Sequence, residues 1–467
     1  LGHAVSVMTS ALVVASGDEA VARKGSWRTS LATGAAALGV AALLLTSVQA
    51  GSGSSAARAA ALTVVPSGLR VRVIAIDGFD PRIFGELSSA GRVPSLAAAF
   101  NGAVVALEAH AEDASDPARV WTTIATGQPA SVHGVQALET RRVAGVAGSM
   151  AGTEQSTLAL AIRGATDFVR LTRPAIASGN ERRAKTFWEV AADAGLRTAV
   201  VNWWATWPAR ADSGIVLSDR ATLRLEHGGT LDAEVAPPSL YEGLRARYPA
   251  IKGHAAEMTA AALETKHDST TGALLERSAQ LDALQLVLLS EVAGPDTDLS
   301  VAYLPGLDIA QHTLLGGDRA GLAASALGAR LDALKDYYAT LDRLLARAAV
   351  LHPQRNELVI VLTEPGRVST EGGARMAVQG AAVSPPRSTN APATGVAATI
   401  LYALGVPVAR DLASPAMADV FNETFRRAYP LREVSTYGPP IARPAARDGQ
   451  PLDQEMIDRL RSLGYVR

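Results

Sequence analysis

The chain has 467 residues, with 44 basic and 45 acidic side chains, so its formal net charge is -1 at pH 7. This balance excludes the general attraction for nucleic acid that a basic chain has, and we expect no nucleic-acid partner. The sequence contains no cysteine, which excludes disulfides, thiolate metal sites and a cysteine nucleophile, so any metal must be held by carboxylates and imidazoles.

The first predicted element is an apolar segment near the start of the chain. Residues 29–57 carry no charge, and residues 31–50 are long enough to cross a bilayer as one helix. The basic residues before this segment include Arg28, and the positive-inside rule holds that end in the cytoplasm. We therefore expect a cytoplasmic segment at 1–28, a transmembrane or signal segment at 29–50, and a membrane partner for this part of the chain.

The fate of the apolar segment stays open at this stage. Val48-Gln49-Ala50 resembles a small-residue cleavage site, so a cleaved signal and a retained anchor are both compatible with the sequence. A third alternative is a buried, alanine-rich helix of a soluble protein. The first two place the main domain in the bacterial cell envelope, outside the cytoplasm, or secrete it. A Gly/Ser/Ala-rich linker follows at 51–68.

The remainder, 69–467, alternates strand-like and helical segments. Apolar runs typical of buried strands lie at 71–76, 198–202, 299–304 and 358–362, and helical patterns at 186–194 and 327–348 lie between them. This alternation predicts an α/β fold with a parallel sheet and helices on both faces. Two less regular segments, 136–180 and 220–293, are predicted to be insertions that either cap the crevice or lie on the surface.

Asp77 is the first candidate functional residue. It follows an almost wholly apolar strand and precedes Gly78, which places its carboxylate at the edge where open α/β sheets bind ligands. A buried carboxylate is costly unless a cation or hydrogen-bond donors balance it. Metal binding is therefore one interpretation of Asp77, and a simple Asp-Gly turn is the other.

Asp308 and His312 are the second candidates. They follow the strand predicted at 299–304 and are four residues apart, so on one helix they share a face and can hold the same ion. A helix cap followed by a surface histidine would give the same spacing.

Taken in order, these motifs resemble the type I phosphodiesterase/nucleotide pyrophosphatase branch of the alkaline phosphatase superfamily. The resemblance rests on the strand with Asp77-Gly78, on Trp121-Thr-Thr-Ile-Ala-Thr-Gly followed by His133-Gly-Val, and on the segment from Tyr303 to His312. Outside the insertions it extends over residues 70–467. It implies the alkaline phosphatase fold, two zinc ions and a small phosphate-ester substrate.

The resemblance also implies ligands that have changed in this chain. The family's third motif, strand-Ser-Asp-His-Gly, corresponds to Thr363-Glu364-Pro365-Gly366, and a later family histidine has no counterpart in residues 369–376. Glu364 can still coordinate, whereas proline cannot. Asp77 with Glu364, and Asp308 with His312, would therefore define two incomplete sites for zinc or another divalent metal, with one ion or none bound.

The nucleophile that the resemblance implies lies at the start of the helix containing Trp121. Ser115 is the best candidate and Asp116 the alternative, because the ungapped position falls on Pro117, which cannot attack. The order Ser115-Asp-Pro-Ala-Arg119 also resembles the sulfatase pattern, which keeps a sulfatase-like hydrolase open.

A tryptophan-rich segment supplies the last candidates. Trp204 and Trp207 lie in a run similar to Val-Asn-Trp-Trp-x-Thr-Trp-Pro of bacterial family members, and either substrate contact or core packing would explain them. We therefore expect an exported phosphoesterase-like protein with an incomplete metal site. A catalytically degenerate homologue with a binding or envelope role is the alternative, and the sequence leaves the oligomeric state open.

Overall fold

The computed structural model describes residues 62–112, 116–143, 149–151, 172–210, 212, 214–264, 266–316, 323–368, 373–384, 387–440, 451–463 and 465. The predicted segments 1–28 and 29–50, most of the linker, and Ser115 lie outside these residues. Within them, no helix is both long and apolar enough to span a bilayer.

The strands are β1 (Arg70–Asp77), β2 (Ala103–Glu108), β3 (Glu139–Val143), β4 (Ser149–Ala151), β5 (Thr172–Ile176), β6 (Thr198–Val201), β7 (Ile215–Leu217), β8 (Val235–Ala236), β9 (Leu299–Leu304), β10 (Glu357–Glu364), β11 (Ala374–Gln379), β12 (Arg387–Pro392), β13 (Val408–Ala409) and β14 (Glu433–Val434). The strands predicted from apolar runs correspond to β1, β6, β9 and β10.

The α-helices are α1 (Pro81–Ser89), α2 (Pro94–Ala99), α3 (Pro117–Thr126), α4 (Ala130–His133), α5 (Phe187–Asp193), α6 (Ala221–His227), α7 (Tyr241–Ala262), α8 (Ser269–Val292), α9 (Gly306–Leu315), α10 (Ala324–Arg347), α11 (Gly395–Ala403), α12 (Glu423–Ala428) and α13 (Pro451–Ser462). The helices predicted between the strands correspond to α5 and α10.

Nine strands form a central sheet in the order β12-β2-β11-β10-β1-β9-β6-β7-β8. The predicted all-parallel sheet is wrong in one respect, because β11 is antiparallel to both of its neighbours and β8 is antiparallel to β7. The link between β10 and β11, residues 365–373, is too short for the crossover that a parallel pair requires. The fold is therefore α/β with a mixed sheet.

Strand β1 shows why helices cover both faces of this sheet. Its side chains alternate, with Val73 and Ala75 in one buried core cluster and Ile74 and Ile76 in the other. The first cluster also contains residues of α3, α5 and α11, and the second contains residues of α7, α8 and α10. A strand buried on both faces must be apolar throughout, which explains why β1 was recognisable in the sequence.

The two predicted insertions contain regular structure where they are described. The segment 136–180 carries the three-stranded sheet β4-β3-β5, and 220–293 carries α6, β8, α7 and α8. Helices α7 and α8 pack on each other and supply buried side chains such as Ile251 and Leu286 to the second core cluster. A capping role for either segment stays a prediction.

Candidate active site

The carboxyl ends of β1 and β10 meet the start of α9 in the middle of the sheet. Asp77 and Glu364 are partners in the parallel β1–β10 register, and β9 leads into α9 on the other side of β1. The sequence order therefore brings Asp77, Glu364 and Asp308 to one edge, as predicted for an open α/β fold.

Two glycines allow these segments to approach closely. Gly78 has φ +83°, and a Cβ there would lie 2.3 Å from the Cα atom of Asp308. Gly366 has φ +74°, and a Cβ there would lie 2.4 Å from Oδ1 of Asp308. Both positions combine a left-handed backbone with a contact that leaves no room for a side chain, so only glycine fits.

Asp77 is buried and hydrogen-bonded at both oxygens. The Tyr303 hydroxyl donates to Oδ2 at 2.6 Å, and the backbone N–H of Gly78 donates to Oδ1 at 3.1 Å. Burial raises the pKa of Asp77 to about 7, the nearby Asp308 carboxylate adds to the rise, and the Tyr303 hydrogen bond opposes it. The carboxylate is thus anchored, but its charge is only partly balanced.

Asp308, a predicted metal ligand, is paired with an arginine. Arg367 donates from its backbone N–H to Oδ1 at 3.0 Å and from Nε to Oδ2 at 2.8 Å, and its Nη2 lies 2.7 Å from Oδ2. The Asp308 side chain is fully buried, and the Arg367 side chain is 11% exposed. Both carboxylate oxygens of Asp308 therefore already have charged or polar partners.

The ring of Tyr465 packs on the Arg367 guanidinium. The Arg367 Cζ atom lies 3.8 Å from the centroid of the Tyr465 ring, a cation–π distance. The same ring meets Trp204 edge-on at 5.4 Å. Tyr465, which follows α13, therefore covers the site beside Arg367.

His312, the other half of the predicted pair, is half-buried on α9. Its Nδ1 atom is buried, and no hydrogen-bond partner for it lies among the described residues. Burial lowers the pKa of His312, and the positive charge of Arg367 lowers it further. The same charge would also oppose a metal ion at this imidazole.

Glu364 lines a small cleft together with Asp77, Asp116 and Arg367. Its backbone carbonyl accepts from Phe79 N–H at 2.7 Å, which holds the strand end in place. Glu364 and Asp77 therefore line the same cleft, and their role as metal ligands stays a prediction.

These residues decide how well a metal fits. Among the described residues, no group of three or more histidine, aspartate or glutamate side chains could hold an ion. A zinc centre ordinarily has three or four protein ligands, so two zinc sites do not fit this donor set. Asp77 and Glu364 fit one hard cation, because Mg²⁺ is commonly bound by one or two carboxylates together with water and substrate phosphate.

The start of α3 is organised by Asp116. Its carboxylate caps the helix by accepting from Arg119 N–H at 3.1 Å, and it also accepts from Leu138 N–H at 2.8 Å. Burial raises the pKa of Asp116, and these hydrogen bonds oppose the rise. These two backbone hydrogen bonds give the Asp116 carboxylate a structural role. Ser115, the other nucleophile candidate, lies outside the described residues.

The family resemblance from 121 to 135 corresponds to an internally bonded helix and turn. Thr122 bonds back to the Ala118 carbonyl at 2.6 Å. Thr123 Oγ1 lies 3.1 Å from Nε2 of His133, and Nδ1 of His133 accepts from Val135 N–H at 3.2 Å. Burial, followed by the charges of nearby arginines, lowers the pKa of His133 to about 3, so the ring is neutral and structural.

Comparison with known proteins identifies the family of this chain. The family model for type I phosphodiesterase/nucleotide pyrophosphatase matches residues 71–394. The protein belongs to this family. No curated protein sequence matches the chain.

Several solved structures are similar to this chain, all at low sequence identity. Phosphonoacetate hydrolase from Sinorhizobium meliloti 1021, in complex with phosphonoformate, is 18% identical with a TM-score of 0.36, and the match covers 66% of this chain and 60% of that chain. Murine ectonucleotide pyrophosphatase/phosphodiesterase 5, in complex with AMP, is 11% identical with a TM-score of 0.41 and coverages of 76% and 100%. Phosphonate monoester hydrolase from Silicibacter pomeroyi is 14% identical with a TM-score of 0.40 and coverages of 75% and 76%.

The two tryptophans proposed for substrate contact have different surroundings in this family member. Trp204 lines a cavity of about 50 Å³ together with Tyr303, Gln285 and Tyr465. Trp207 is not among the residues that line this cavity. Its Nε1 donates to a backbone carbonyl at 2.7 Å, and an arginine stacks on its ring at 3.7 Å, so its described contacts are those of a core residue.

Sequence reasoning missed two residues of this site. Arg367 follows the strand-end Glu364 by three residues, and an arginine so close to predicted metal ligands is a signal that an internal cation is present. Tyr465 lies 98 residues after Arg367 in the chain. Its ring reaches Arg367 through tertiary folding, which no local pattern reveals.

Proposed function

We propose that this crevice binds a small phosphate ester and hydrolyses it with the help of one hard divalent cation held by Asp77 and Glu364. The observation that carries the proposal is that these two carboxylates lie at paired strand ends and line one cleft, in a chain that belongs to a phosphodiesterase family. Two carboxylates without an imidazole favour Mg²⁺ or Mn²⁺ over zinc.

The charges around the cleft explain why a cation is needed. Three acidic residues and one arginine line it, Asp77, Asp116, Glu364 and Arg367, and the guanidinium is paired with the buried Asp308. A phosphate dianion would be repelled by this set. A bound divalent cation would supply the missing positive charge and polarise a phosphoryl oxygen.

The protein's own groups would orient the reactants. Tyr303 fixes one oxygen of Asp77 through its hydroxyl, and the first turn of α3, with Pro117 and Val120 on the cleft, presents the positive end of a helix. Ser115 precedes the Asp116 cap and is our proposed nucleophile. The two backbone hydrogen bonds on Asp116 make it the weaker alternative.

The test is hydrolysis of bis(4-nitrophenyl) phosphate by the purified protein with Mg²⁺, Mn²⁺ or Zn²⁺. We expect turnover that EDTA abolishes and that Glu364→Gln and Ser115→Ala each reduce at least about tenfold, since each removes a group from the reacting centre. Glu86→Gln, a change at a mostly exposed carboxylate, is the matched control. Turnover unchanged in Glu364→Gln would refute the proposed ion site, and persistence in Ser115→Ala would move the nucleophile elsewhere.

A second candidate function is ligand binding without turnover. The observation that favours it is the pairing of Asp308 with Arg367, which removes a carboxylate that the family resemblance assigns to a metal. In that case inorganic phosphate or the aryl ester would bind in calorimetry, with no product released in any of the three metal solutions.

We also propose that the main domain lies outside the cytoplasm, in the bacterial envelope. The support is the uncharged stretch 31–50 with basic residues before it. When the protein is expressed in a Gram-negative host, we expect it in the membrane or periplasmic fraction. Recovery of the protein solely from the cytosol, with residue 1 intact, would contradict this.

A further inference from the structure

We propose that Arg367 is an internal cation that takes the place of a metal ion at Asp308, so that this half of the crevice forms and stays closed without any divalent ion. Three of its nitrogen atoms contact the two oxygens of Asp308, at 3.0, 2.8 and 2.7 Å. Nε and Nη2 of the guanidinium both approach Oδ2, and the backbone N–H donates to Oδ1. A hydrogen bond between two charged groups is about twice as strong as one between neutral groups.

The surroundings of this pair distinguish it from an ordinary surface ion pair. Asp308 is fully buried, Gly366 lets the chain pass directly against Oδ1, and the Arg367 backbone N–H donates to the same oxygen. A buried pair is maintained only when geometry and additional hydrogen bonds offset the desolvation of both charges. The loop after β10 is therefore built around the contact between Arg367 and Asp308.

Tyr465 adds an aromatic contact to this ion pair. Its ring covers the guanidinium at 3.8 Å and packs against Trp204, which contacts Tyr303 in turn at 5.8 Å. Aromatic cover keeps water from the guanidinium and strengthens its attraction to Asp308. Tyr465, Arg367 and Asp308 therefore pack as one cluster.

The consequence for metal content is specific. Arg367 already donates to both oxygens of Asp308, and its charge is in direct contact with that carboxylate, so Asp308 and His312 take no divalent ion while Arg367 is present. Any ion in this crevice is confined to Asp77 and Glu364. This inference concerns the occupancy of Asp308 and holds whether or not the protein hydrolyses a phosphate ester.

The test is the stoichiometry of Mn²⁺ and Zn²⁺ binding, measured by calorimetry in the Glu364→Gln background, which removes the other candidate ligand. We expect no tight ion in E364Q, one ion per chain in E364Q/R367A with at least tenfold tighter binding, and loss of that ion in E364Q/R367A/D308N. Arg82→Ala is the matched control, because the mostly exposed Arg82 pairs with Asp80 through one contact at 3.4 Å and its loss should create no ion site.

Two results would overturn the proposal. One is a tight ion in E364Q that Asp308→Asn removes, because Arg367 would then coexist with a metal. The other is a folded E364Q/R367A that gains no ion. Arg367→Gln serves as a second variant of similar length, and soluble protein obtained only when Mn²⁺ or Zn²⁺ is supplied would support the proposal.

A variant that stays unfolded with and without these ions would count against it, because an ion could not then replace the guanidinium. The result is independent of turnover. Wild-type protein without hydrolytic activity would refute the proposed function and leave the binding stoichiometry at Asp308 unaffected.

Discussion

Two regions contain family-like residues, the helix and turn at 117–135 and the part of the crevice around Asp308. They differ in what those residues bond to. In the first, the family-like residues are kept, and Thr122, Thr123 and His133 bond to one another or to nearby backbone. In the second, the family-like Asp308 is kept, but its partner is Arg367. Family-like residues therefore form internally bonded scaffold in one region, whereas in the other the arginine partner of the family-like Asp308 sets the electrostatics.

The largest effect is expected at Gly78, and it measures how tightly the chain packs around Asp308. Gly78→Ala would place a methyl group 2.3 Å from the Asp308 backbone, so we expect a loss of more than about 5 kcal/mol of unfolding free energy, or no folded protein. Gly91→Ala is the control, because Gly91 has a similar φ of +70° and no atom within 4 Å, and it should cost only about 1–2 kcal/mol. Urea denaturation of both variants measures the difference. Equal losses would mean that backbone strain alone matters at Gly78.

The next prediction tests whether α3, the helix of region 117–135, belongs to the hydrophobic core. Trp121 is fully buried and meets Trp203 and Tyr303 edge-on at 5.3 and 5.4 Å. Trp121→Ala should lower the unfolding free energy by about 3–5 kcal/mol through lost contacts and a cavity. Chemical denaturation followed by circular dichroism would show this. A loss below about 1 kcal/mol would mean that the site collapses freely.

A pH effect should come from His133. Its pKa falls from an ordinary 6.5 to about 3 in the folded protein, so below pH 6.5 the unfolded chain binds a proton that the folded chain does not. Stability is therefore lost as pH falls, by about 2 kcal/mol between pH 7.5 and pH 5. His133→Gln should lack this component, and the difference between wild-type and variant unfolding free energies across that range measures it. Parallel curves would show that His133 is solvated.

The smallest expected effect separates two neighbouring hydroxyls. Thr123→Val removes the acceptor for His133 Nε2 and should cost about 1 kcal/mol or more. Thr122→Val removes only a bond to its own helix and should cost less than about 0.5 kcal/mol. Thermal unfolding of the two variants at pH 7.5 gives the comparison, and the reverse order would contradict our assignment of the hydrogen bonds.

Strands of the fold were predictable where the local hydrophobic pattern reflects burial in the folded protein. β1, β9 and β10 are largely apolar because both faces of each strand are buried, and this made the strands visible in the sequence. The antiparallel β11 was not predicted. Its direction follows from the short link after β10 and from pairing with β2, which lies far away in the sequence.

The candidate site was predictable only in part for a similar reason. Asp77, Glu364 and Asp308 were placed correctly at one edge, because the end of a parallel strand fixes where the next residue lies. The partner of Asp308 was not, since an arginine side chain can reach in several directions from its backbone position. Its direction here depends on Tyr465 and Gly366, which are close to Asp308 only in the folded chain.

The central position of β1 has a consequence for the order in which the molecule assembles. Among the described residues β1 is the first strand of the sheet, but its two neighbours, β9 and β10, both come from the second half of the sequence. During synthesis this apolar strand must therefore wait, without its hydrogen-bonding partners, until most of the chain has emerged. Such long-range pairing slows folding and lengthens the time in which an unpaired strand can aggregate. Truncated chains that end before Leu299 should accordingly be insoluble.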